Sequence, residues 1–202
     1  MRLFTALELP DEPRKHLARL IQFWKENLGP ELRSSRGIDA PPVNWVRNEN
    51  LHVTLKFLGE VPDADVPKVC TVLAGVEQLG LITVNAARLE GLPARGPIHA
   101  LCAEITGNVE RLGQLHDLVN RACATLGFPH ESRPFRPHIT LGRLRRPLPA
   151  QGRSPLSKVA DAQMPGPVFT ATTFALMQSE LLPGGPRYTP LARFPLDSGR
   201  SV

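Results

Sequence analysis

The chain has 202 residues, is 42% hydrophobic and 21% charged, and carries a formal net charge of +5. These values are ordinary for a globular protein with a sizeable core, and the 21 prolines disfavour a bundle of long helices. The sequence contains no apolar run near the roughly 20 residues that cross a bilayer, no secretory signal and no paired CxxC cysteines. We therefore expect a cytoplasmic protein without a cofactor or a metal site.

The positive charge is concentrated in one segment. Between residues 132 and 160 there are seven cations and no anion, while the rest of the chain carries 17 cations and 19 anions. Such a segment on a mildly acidic protein indicates that an anionic ligand binds in one place. The seven cations are Arg133, Arg136, Arg143, Arg145, Arg146, Arg153 and Lys158.

The apolar pattern predicts alternating strands and helices. Helices are expected to begin at Asp11, Asp63 and Asn108, with loops over residues 29–42 and 148–167 and a bulge at Gly142. Strands are expected at residues 2–9, 44–46, 51–58, 81–89, 98–105, 135–144, 168–177 and 187–194. Because several strand pairs are linked too closely for a crossover helix, we expect an α+β fold with largely antiparallel sheets.

One short pattern, His-x-Thr-Leu, occurs twice, at residues 52–55 and 138–141. Both copies lie in predicted strands, where residues i and i+2 share a face. His52 and Thr54 therefore project together, as do His138 and Thr140, while the neighbouring apolar residues project into the core. The 86-residue separation puts one motif in each half of the chain, and each motif follows a predicted helix, as in a duplicated protein.

Two imidazoles flanking one substrate suit general acid–base catalysis, since a pKa near 6.5 leaves one ring neutral and the other protonated near neutral pH. Two threonine hydroxyls can hold the oxygens of a phosphoryl group. This combination predicts a phosphoester site that needs no metal. The remaining histidines have no mirrored partner and are interpreted as structural or solvated: His16, His99, His116 and His130.

Motifs of other enzyme classes are missing from the sequence. It contains no HExxH zinc motif, no GxxxxGK[ST] phosphate loop and no GxSxG nucleophile elbow.

The sequence resembles the 2H phosphoesterase superfamily, and within it the RNA 2′,3′-cyclic phosphodiesterases, historically called 2′-5′ RNA ligases. The likeness covers residues 2 to 196. It rests on RLFTALELP at residues 2–10, NLHVTLKFLG at residues 50–59, RPFRPHITLGR at residues 133–143, SELL at residues 179–182, and Tyr188. A longer loop over residues 34–42 and a Pro/Arg-rich stretch after Arg143 depart from the family pattern.

The resemblance implies a single domain over residues 1–202, built as two pseudo-symmetric βαβ-type lobes around a V-shaped cleft with one motif in each lobe. It also implies hydrolysis of an RNA 2′,3′-cyclic phosphate to a 2′-phosphate, with His52 as proton donor and His138 as proton acceptor. Arg143 matches the family arginine that contacts the phosphate, together with Thr54 and Thr140. Nearby charges agree with these roles, because arginines close to His138 in sequence would disfavour its protonation and Glu49 would favour that of His52.

Other residues are candidates for RNA contact. In a regular strand Lys56 would face the cleft, although an edge lysine is the alternative. Phe135 or Phe57 could stack on a base, with core packing as the alternative. Arg136, Arg145 and Arg146 are candidates for backbone contacts in the basic segment, which is otherwise a solvated face.

Four functions remain open from the sequence. The first is cyclic phosphodiesterase activity on an RNA end, such as that of a tRNA fragment, or on a small cyclic nucleotide. The second is 2′-5′ ligation of the same end to a 5′-hydroxyl. The third is an RNA- or nucleotide-binding module without turnover. The fourth is metal-dependent hydrolysis, which activity in EDTA would exclude. We expect no membrane and no obligate protein partner.

Overall fold

The computed structural model describes residues 1–39, 42–131, 134–163, 165–183 and 185–197. Short 3-10 turns occupy Asn48–Asn50, Asp63–Asp65 and Ala150–Gly152. Within the described residues the strands and α-helices follow the order β1 (Arg2–Glu8), α1 (Asp11–Arg36), β2 (Val43–Trp45), β3 (His52–Glu60), α2 (Val66–Ala74), β4 (Ile82–Leu92), β5 (Ile98–Gly107), α3 (Val109–Ala124), β6 (His138–Leu148), α4 (Arg153–Asp161), β7 (Val168–Ala171), β8 (Thr173–Leu182) and β9 (Gly185–Pro195).

The strands form one antiparallel sheet in the order β7–β4–β5–β6–β3–β1–β8–β9, and β2 pairs with β6 beside this path. The predicted α+β fold with antiparallel pairing is therefore confirmed. The two motif strands, β3 and β6, lie at the centre. They meet through a single residue pair, Val53 and Ile139, which directly follow the two motif histidines.

The chain repeats the succession strand, helix, motif strand, helix, strand. The first repeat runs β1–α1–β3–α2–β4, and the second runs β5–α3–β6–α4 and ends in β8. The final strand of each repeat pairs with the first strand of the other, since β4 pairs with β5 and β8 pairs with β1. Each half of the sheet is thus built from both repeats.

The first helix of each repeat is exchanged in the same way. In α1, Trp24 Nε1 donates to Gln163 Oε1 at 3.0 Å, and the Gln163 side chain bonds the β4 backbone at Ala87 and Leu89. Helix α1 therefore lies with α4 on the half that contains β6, whereas α3 packs on β3. Each motif thus follows its helix along the chain, but that helix packs on the half of the sheet that contains the other motif strand.

Helix α1 extends beyond the point where a loop was predicted, because Gly29 and Pro30 do not end it. Proline removes one backbone hydrogen bond, but Leu28 and Leu32 on either side remain 5% and 0% exposed and keep this turn against the core. The helix ends at Gly37, whose φ of 62° closes it. No helix in the described part of the chain is both long and apolar enough to span a membrane.

The predicted loop over residues 148–167 contains helix α4. Pro155 lies in its first turn, where the missing backbone N–H costs nothing. Leu156 and Val159 are each 4% exposed. Proline therefore marks the beginning of this helix, although in the sequence it favoured a loop.

Candidate active site

The two motifs line a single cleft of about 1060 Å³ at the centre of the sheet. His52 and Thr54 reach it from β3, and His138 and Thr140 from β6. The apolar residues between and after them are buried, with Val53 and Ile139 both 0% exposed. The alternation predicted for both strands is therefore present, and it brings all four predicted side chains together.

The imidazole of His52 is held at both nitrogens. Its Nδ1 lies 2.7 Å from the carbonyl oxygen of Asn50, and its Nε2 lies 3.0 Å from Thr54 Oγ1. Because a carbonyl can only accept, Nδ1 carries the proton and donates it. In the neutral ring Nε2 therefore accepts from the threonine hydroxyl, and it is the nitrogen that can exchange a proton with a substrate.

His138 is oriented by the corresponding contact. Its Nδ1 lies 2.8 Å from the carbonyl oxygen of Arg136, two residues earlier, as Asn50 is two residues before His52. The same tautomer follows for both rings, with Nε2 available for proton transfer. The repeat thus preserves the histidines and also the backbone acceptors that orient them.

The surroundings of His52 are aromatic. Its ring centroid lies 4.9 Å from that of Phe4 and 5.2 Å from that of Tyr188, the latter edge-on at 87°. Burial lowers the pKa of His52 below the ordinary value of 6.5; the Asn50 carbonyl opposes this effect and His138 adds to it. With its site unliganded, His52 therefore favours the neutral form near neutral pH.

The charge argument made from the sequence does not describe these surroundings. Glu49 is exposed, and the effects on the His52 pKa come from burial, a carbonyl and the other histidine. Arg136 forms an ion pair with Glu90 on β4 and does not act on His138 as an isolated cation. Closeness in sequence was a poor guide here, because Glu49 is exposed in the 3-10 turn before β3 and Arg136, which precedes β6, is paired with a carboxylate of another strand.

A β-bulge in each motif strand determines which later residues reach the cleft. Ala6 and Thr5 of β1 pair with Thr54 and Lys56, so Leu55 is the extra residue in β3. In β6 the extra residue is Leu141, since the neighbouring strand pairs with Thr140 and then with Gly142. The bulge predicted at Gly142 is present, with the extra residue one position earlier. Each bulge changes the alternation by one residue.

Because of this change, Phe57 and Arg143 line the cleft at equivalent positions, each five residues after its histidine. Gly142 allows β2 to pack closely against β6: a Cβ there would lie 2.5 Å from Val43 Cγ1 and 3.2 Å from Trp45 Cε3. The glycine thus keeps β2 beside the strand that carries Arg143.

Lys56 does not face the cleft. It is 3% exposed, and its Nζ donates to Asn120 Oδ1 at 2.7 Å and to the carbonyl of Pro129 at 2.8 Å. The expectation assumed a regular strand, and the bulge at Leu55 turns the lysine inward. Lys56 therefore belongs to a buried network behind the motif and is not positioned for RNA contact.

The arginines of β6 differ in whether they line the cleft. Arg143 and Arg145 line the cleft, and Arg145 Nε donates to Asn44 Oδ1 of β2 at 2.9 Å. Arg146, the next residue, is exposed and does not line the cleft. Arg145 therefore shares the cleft with the two histidines, and Arg146 does not.

The other cations of the basic segment have partners in the protein. Arg153 donates to the carbonyls of Gly91 at 3.0 Å and Gly96 at 2.9 Å, and also to that of Pro93. Lys158 pairs with Glu31 of α1 at 3.1 Å. Arg133 lies outside the described residues. The segment is therefore partly structural, and its net charge overstates what a ligand can meet.

Phe135 also lies away from the cleft. It is partly buried and stacks on His116, with ring centroids 4.1 Å apart and an angle of 14° between the rings. Phe57, in contrast, is 60% exposed in the cleft. Phe135 therefore packs in the core, the alternative considered for it, and of these two rings only Phe57 is exposed in the cleft.

Sequence reasoning missed several residues that line the cleft. Arg2 comes from β1, Arg47 from the segment after β2, and Leu181 from the end of β8, where it is 72% exposed. Arg2 and Phe4 lie two residues apart on the opening strand, which was the available signal for a shared face. Tyr188 carried a signal only through the family resemblance.

Cys102 lies opposite Thr140 in the sheet. Burial raises the pKa of its thiol to about 12, so the thiol remains uncharged beside a threonine expected to hold an anion. In the described part of the chain no three His, Cys, Asp or Glu side chains are grouped as metal ligands would be.

Comparison with known proteins agrees with this arrangement. The family model for LigT-like phosphoesterases matches residues 7–90 and 105–188, one match in each repeat. An RNA 2′,3′-cyclic phosphodiesterase of Escherichia coli is 32% identical over 205 residues, covering 96% of this chain and 96% of that protein. One from Geobacillus stearothermophilus is 33% identical over 77% of this chain, which spans about half (48%) of that longer protein.

The likeness extends to solved structures. A crystal structure of E. coli LigT complexed with 3′-AMP superposes with a TM-score of 0.68 at 26% identity, covering 96% of this chain and 97% of that one. The matches to the family model span most of the chain, and the similarity to the E. coli relative covers 96% of that protein. The chain belongs to the family of LigT-like phosphoesterases.

Proposed function

We propose that this protein hydrolyses the 2′,3′-cyclic phosphate at the end of an RNA strand and leaves a 2′-phosphate. The observation that carries the proposal is the pair of His-x-Thr motifs on adjacent central strands, with both histidines lining one cleft. The names of the curated relatives, RNA 2′,3′-cyclic phosphodiesterases, support the choice of substrate.

In the proposed reaction, the hydroxyls of Thr54 and Thr140 and the guanidinium of Arg143 hold the non-bridging oxygens of the cyclic phosphate. His138 accepts a proton from water at Nε2 as the water oxygen bonds to phosphorus. The bond from phosphorus to O3′ breaks, and His52 donates its Nε2 proton to O3′. The planar guanidinium stabilises the extra negative charge of the pentavalent transition state. A cationic His52 is required before this step.

The bound phosphate favours this cationic form of His52. The pKa of His52 is lowered mainly by burial, and an anion beside Nε2 acts in the opposite direction by favouring the imidazolium. Substrate binding is therefore proposed to charge His52. The charged His52 then donates its Nε2 proton as negative charge develops on O3′, and burial favours its return to the neutral form.

A second candidate uses the same groups with a different nucleophile. If the 5′-hydroxyl of another RNA replaces water, the product is a 2′-5′ linkage. Water at about 55 M favours hydrolysis unless the second strand is held in place. One labelled RNA carrying a 2′,3′-cyclic phosphate, incubated with a 5′-hydroxyl strand, separates the two products by length.

The decisive experiment is incubation of such an RNA with the protein in EDTA, followed by identification of the 2′- or 3′-phosphate. We expect the 2′-phosphate, with turnover lost in His52→Ala and in His138→Ala while RNA binding remains. Unchanged turnover in either variant would contradict the mechanism. Binding without turnover in the unmodified protein would favour the binding-module alternative.

The natural substrate is proposed to be an RNA end, such as that of a tRNA fragment. The cleft of about 1060 Å³ extends well beyond the four motif side chains and includes Arg47 and Arg145, which supports a substrate longer than one nucleotide. We further propose that the protein acts alone in the cytoplasm, where its three cysteines remain free thiols.

A further inference from the structure

A buried polar network lies behind the motifs, and its three side chains are not among the described residues that line the cleft. It joins Lys56 of β3 to Asn120 and His116 of α3, which are 3%, 3% and 5% exposed. Lys56 Nζ donates to Asn120 Oδ1 at 2.7 Å, and Asn120 Nδ2 donates to the His116 carbonyl at 3.1 Å and lies 2.9 Å from its ring Nε2. Burying so many polar groups is costly unless all of them are used.

The network contacts the segment that leads into the second motif, at its described residues 129–131 and 134–137. Its first anchor is the carbonyl of Pro129, which accepts from Lys56 at 2.8 Å. The second anchor is Phe135, whose ring stacks on that of His116 with centroids 4.1 Å apart. Glu90 of β4 provides a third anchor, because it forms an ion pair with Arg136. These contacts hold the segment from both repeats.

The same segment contains the acceptor that orients a proposed catalytic group. The carbonyl of Arg136 holds Nδ1 of His138 at 2.8 Å, and Arg136 directly follows Phe135. A shift of this backbone would move or release the imidazole. Because the bulge turns Lys56 away from the cleft, this residue of the first motif strand can hydrogen-bond to the chain that precedes the second motif.

We propose that Lys56, Asn120 and His116 are positioning residues for His138. They hold the segment before β6 so that the Arg136 carbonyl keeps the His138 proton on Nδ1 and leaves Nε2 free for proton transfer. Lys56 acts on the reaction from the first motif strand without touching the substrate. The kinetic part of this inference rests on the proposed function, whereas the tautomer of His138 does not.

The test uses the full chain with two variants, one for each anchor. Lys56→Met removes both hydrogen bonds while keeping the apolar stem, and Phe135→Leu removes the ring stack. Val119→Ala is the matched control, because Val119 is fully buried on the same helix and outside the network. Two-bond ¹⁵N–¹H spectra report the tautomer of each histidine, with His52 as an internal reference.

We expect both anchor variants to move the proton of neutral His138 from Nδ1 toward Nε2, while His52 and the control keep the Nδ1–H form. With the cyclic phosphate RNA, kcat should fall about 10- to 100-fold and KM should stay within about twofold. An unchanged His138 tautomer in both variants would overturn the inference, whether or not the protein has activity. A raised KM with weaker salt dependence for Lys56→Met would also overturn it, since Lys56 would then contact RNA.

Discussion

Phe57 and Arg143 occupy the same position in the two repeats, and both face the cleft. Each lies five residues after its histidine, beyond a bulge at the leucine of its motif. One repeat thus presents an aromatic ring and the other a guanidinium. The difference suits a substrate that has a base on one side of its phosphate and charge on the other.

Arg143→Gln should lower kcat/KM for a cyclic phosphate RNA by about 100- to 1000-fold, because it removes the positive charge that is proposed to stabilise the transition state. The loss should appear mainly in kcat. Steady-state kinetics on a short labelled RNA measures both constants. A change in KM alone would mean that the guanidinium binds ground state and transition state equally.

Phe57→Ala should raise KM and leave kcat nearly unchanged. Loss of a stacked base costs about 1–3 kcal/mol, which is about a 5- to 150-fold loss of affinity. The matched measurement uses an RNA whose terminal nucleotide lacks its base: the variant and the unmodified protein should bind it equally. A base-independent loss would point instead to packing of Phe57 against Phe4, whose centroid lies 6.0 Å away.

Binding of the cyclic phosphate should take up a proton at His52. The pKa of His52 in the unliganded protein is below 6.5, and the bound anion raises it. Affinity should therefore fall as pH rises above the free-state pKa, by up to about tenfold per unit for a single proton. His138→Ala allows binding to be measured without turnover, and the phosphodiester itself does not titrate in this range. The slope should vanish when His52→Ala is added.

Arg145→Gln should weaken RNA binding and reduce the slope of log affinity against log salt by about 0.7, the value for one phosphate contact on a single strand. Arg146→Gln is the control: it removes the same charge from the adjacent residue, which does not line the cleft. Fluorescence anisotropy at several salt concentrations gives both slopes. Equal slopes for the two variants would show that net charge, not position, governs binding.

Gly142→Ala should destabilise the fold by about 1–3 kcal/mol, because the added Cβ would collide with Val43. It should also reduce turnover by disturbing the bulge before Arg143. Gly113→Ala on α3 is the comparison, since its Cβ would meet open space and alanine favours a helix. Urea unfolding measures the stability of both variants, and steady-state kinetics measures their turnover. An unchanged free energy of unfolding for Gly142→Ala would mean that β2 moves away from the added Cβ at little cost.

The sequence predicted the motif residues well because alternation along a strand is local. Val53 and Ile139 are buried and the histidines face the cleft, as period-two patterning requires. The error at Lys56 has a different origin. Its direction depends on a bulge set by pairing with β1, and its partner Asn120 lies 64 residues away. Nothing in the neighbouring residues encodes either contact.

Charge was similarly ambiguous in the sequence. Arg153 and Arg145 are indistinguishable there, yet one binds three backbone carbonyls and the other lines the cleft. The loop predicted after Gly29 failed for a related reason, because tertiary burial of Leu32 outweighs the helix-breaking tendency of Pro30. Local propensity does not report what packs against a turn.

The exchange of helices and final strands between the repeats has a consequence for folding. A chain that ended after β4 would have that strand without its partner β5, and β1 would lack β8. One repeat alone therefore cannot complete either half of the sheet. The protein is in effect an interlocked dimer joined into one polypeptide. Its two halves should unfold in a single cooperative transition, and separately expressed repeats should become structured only when mixed.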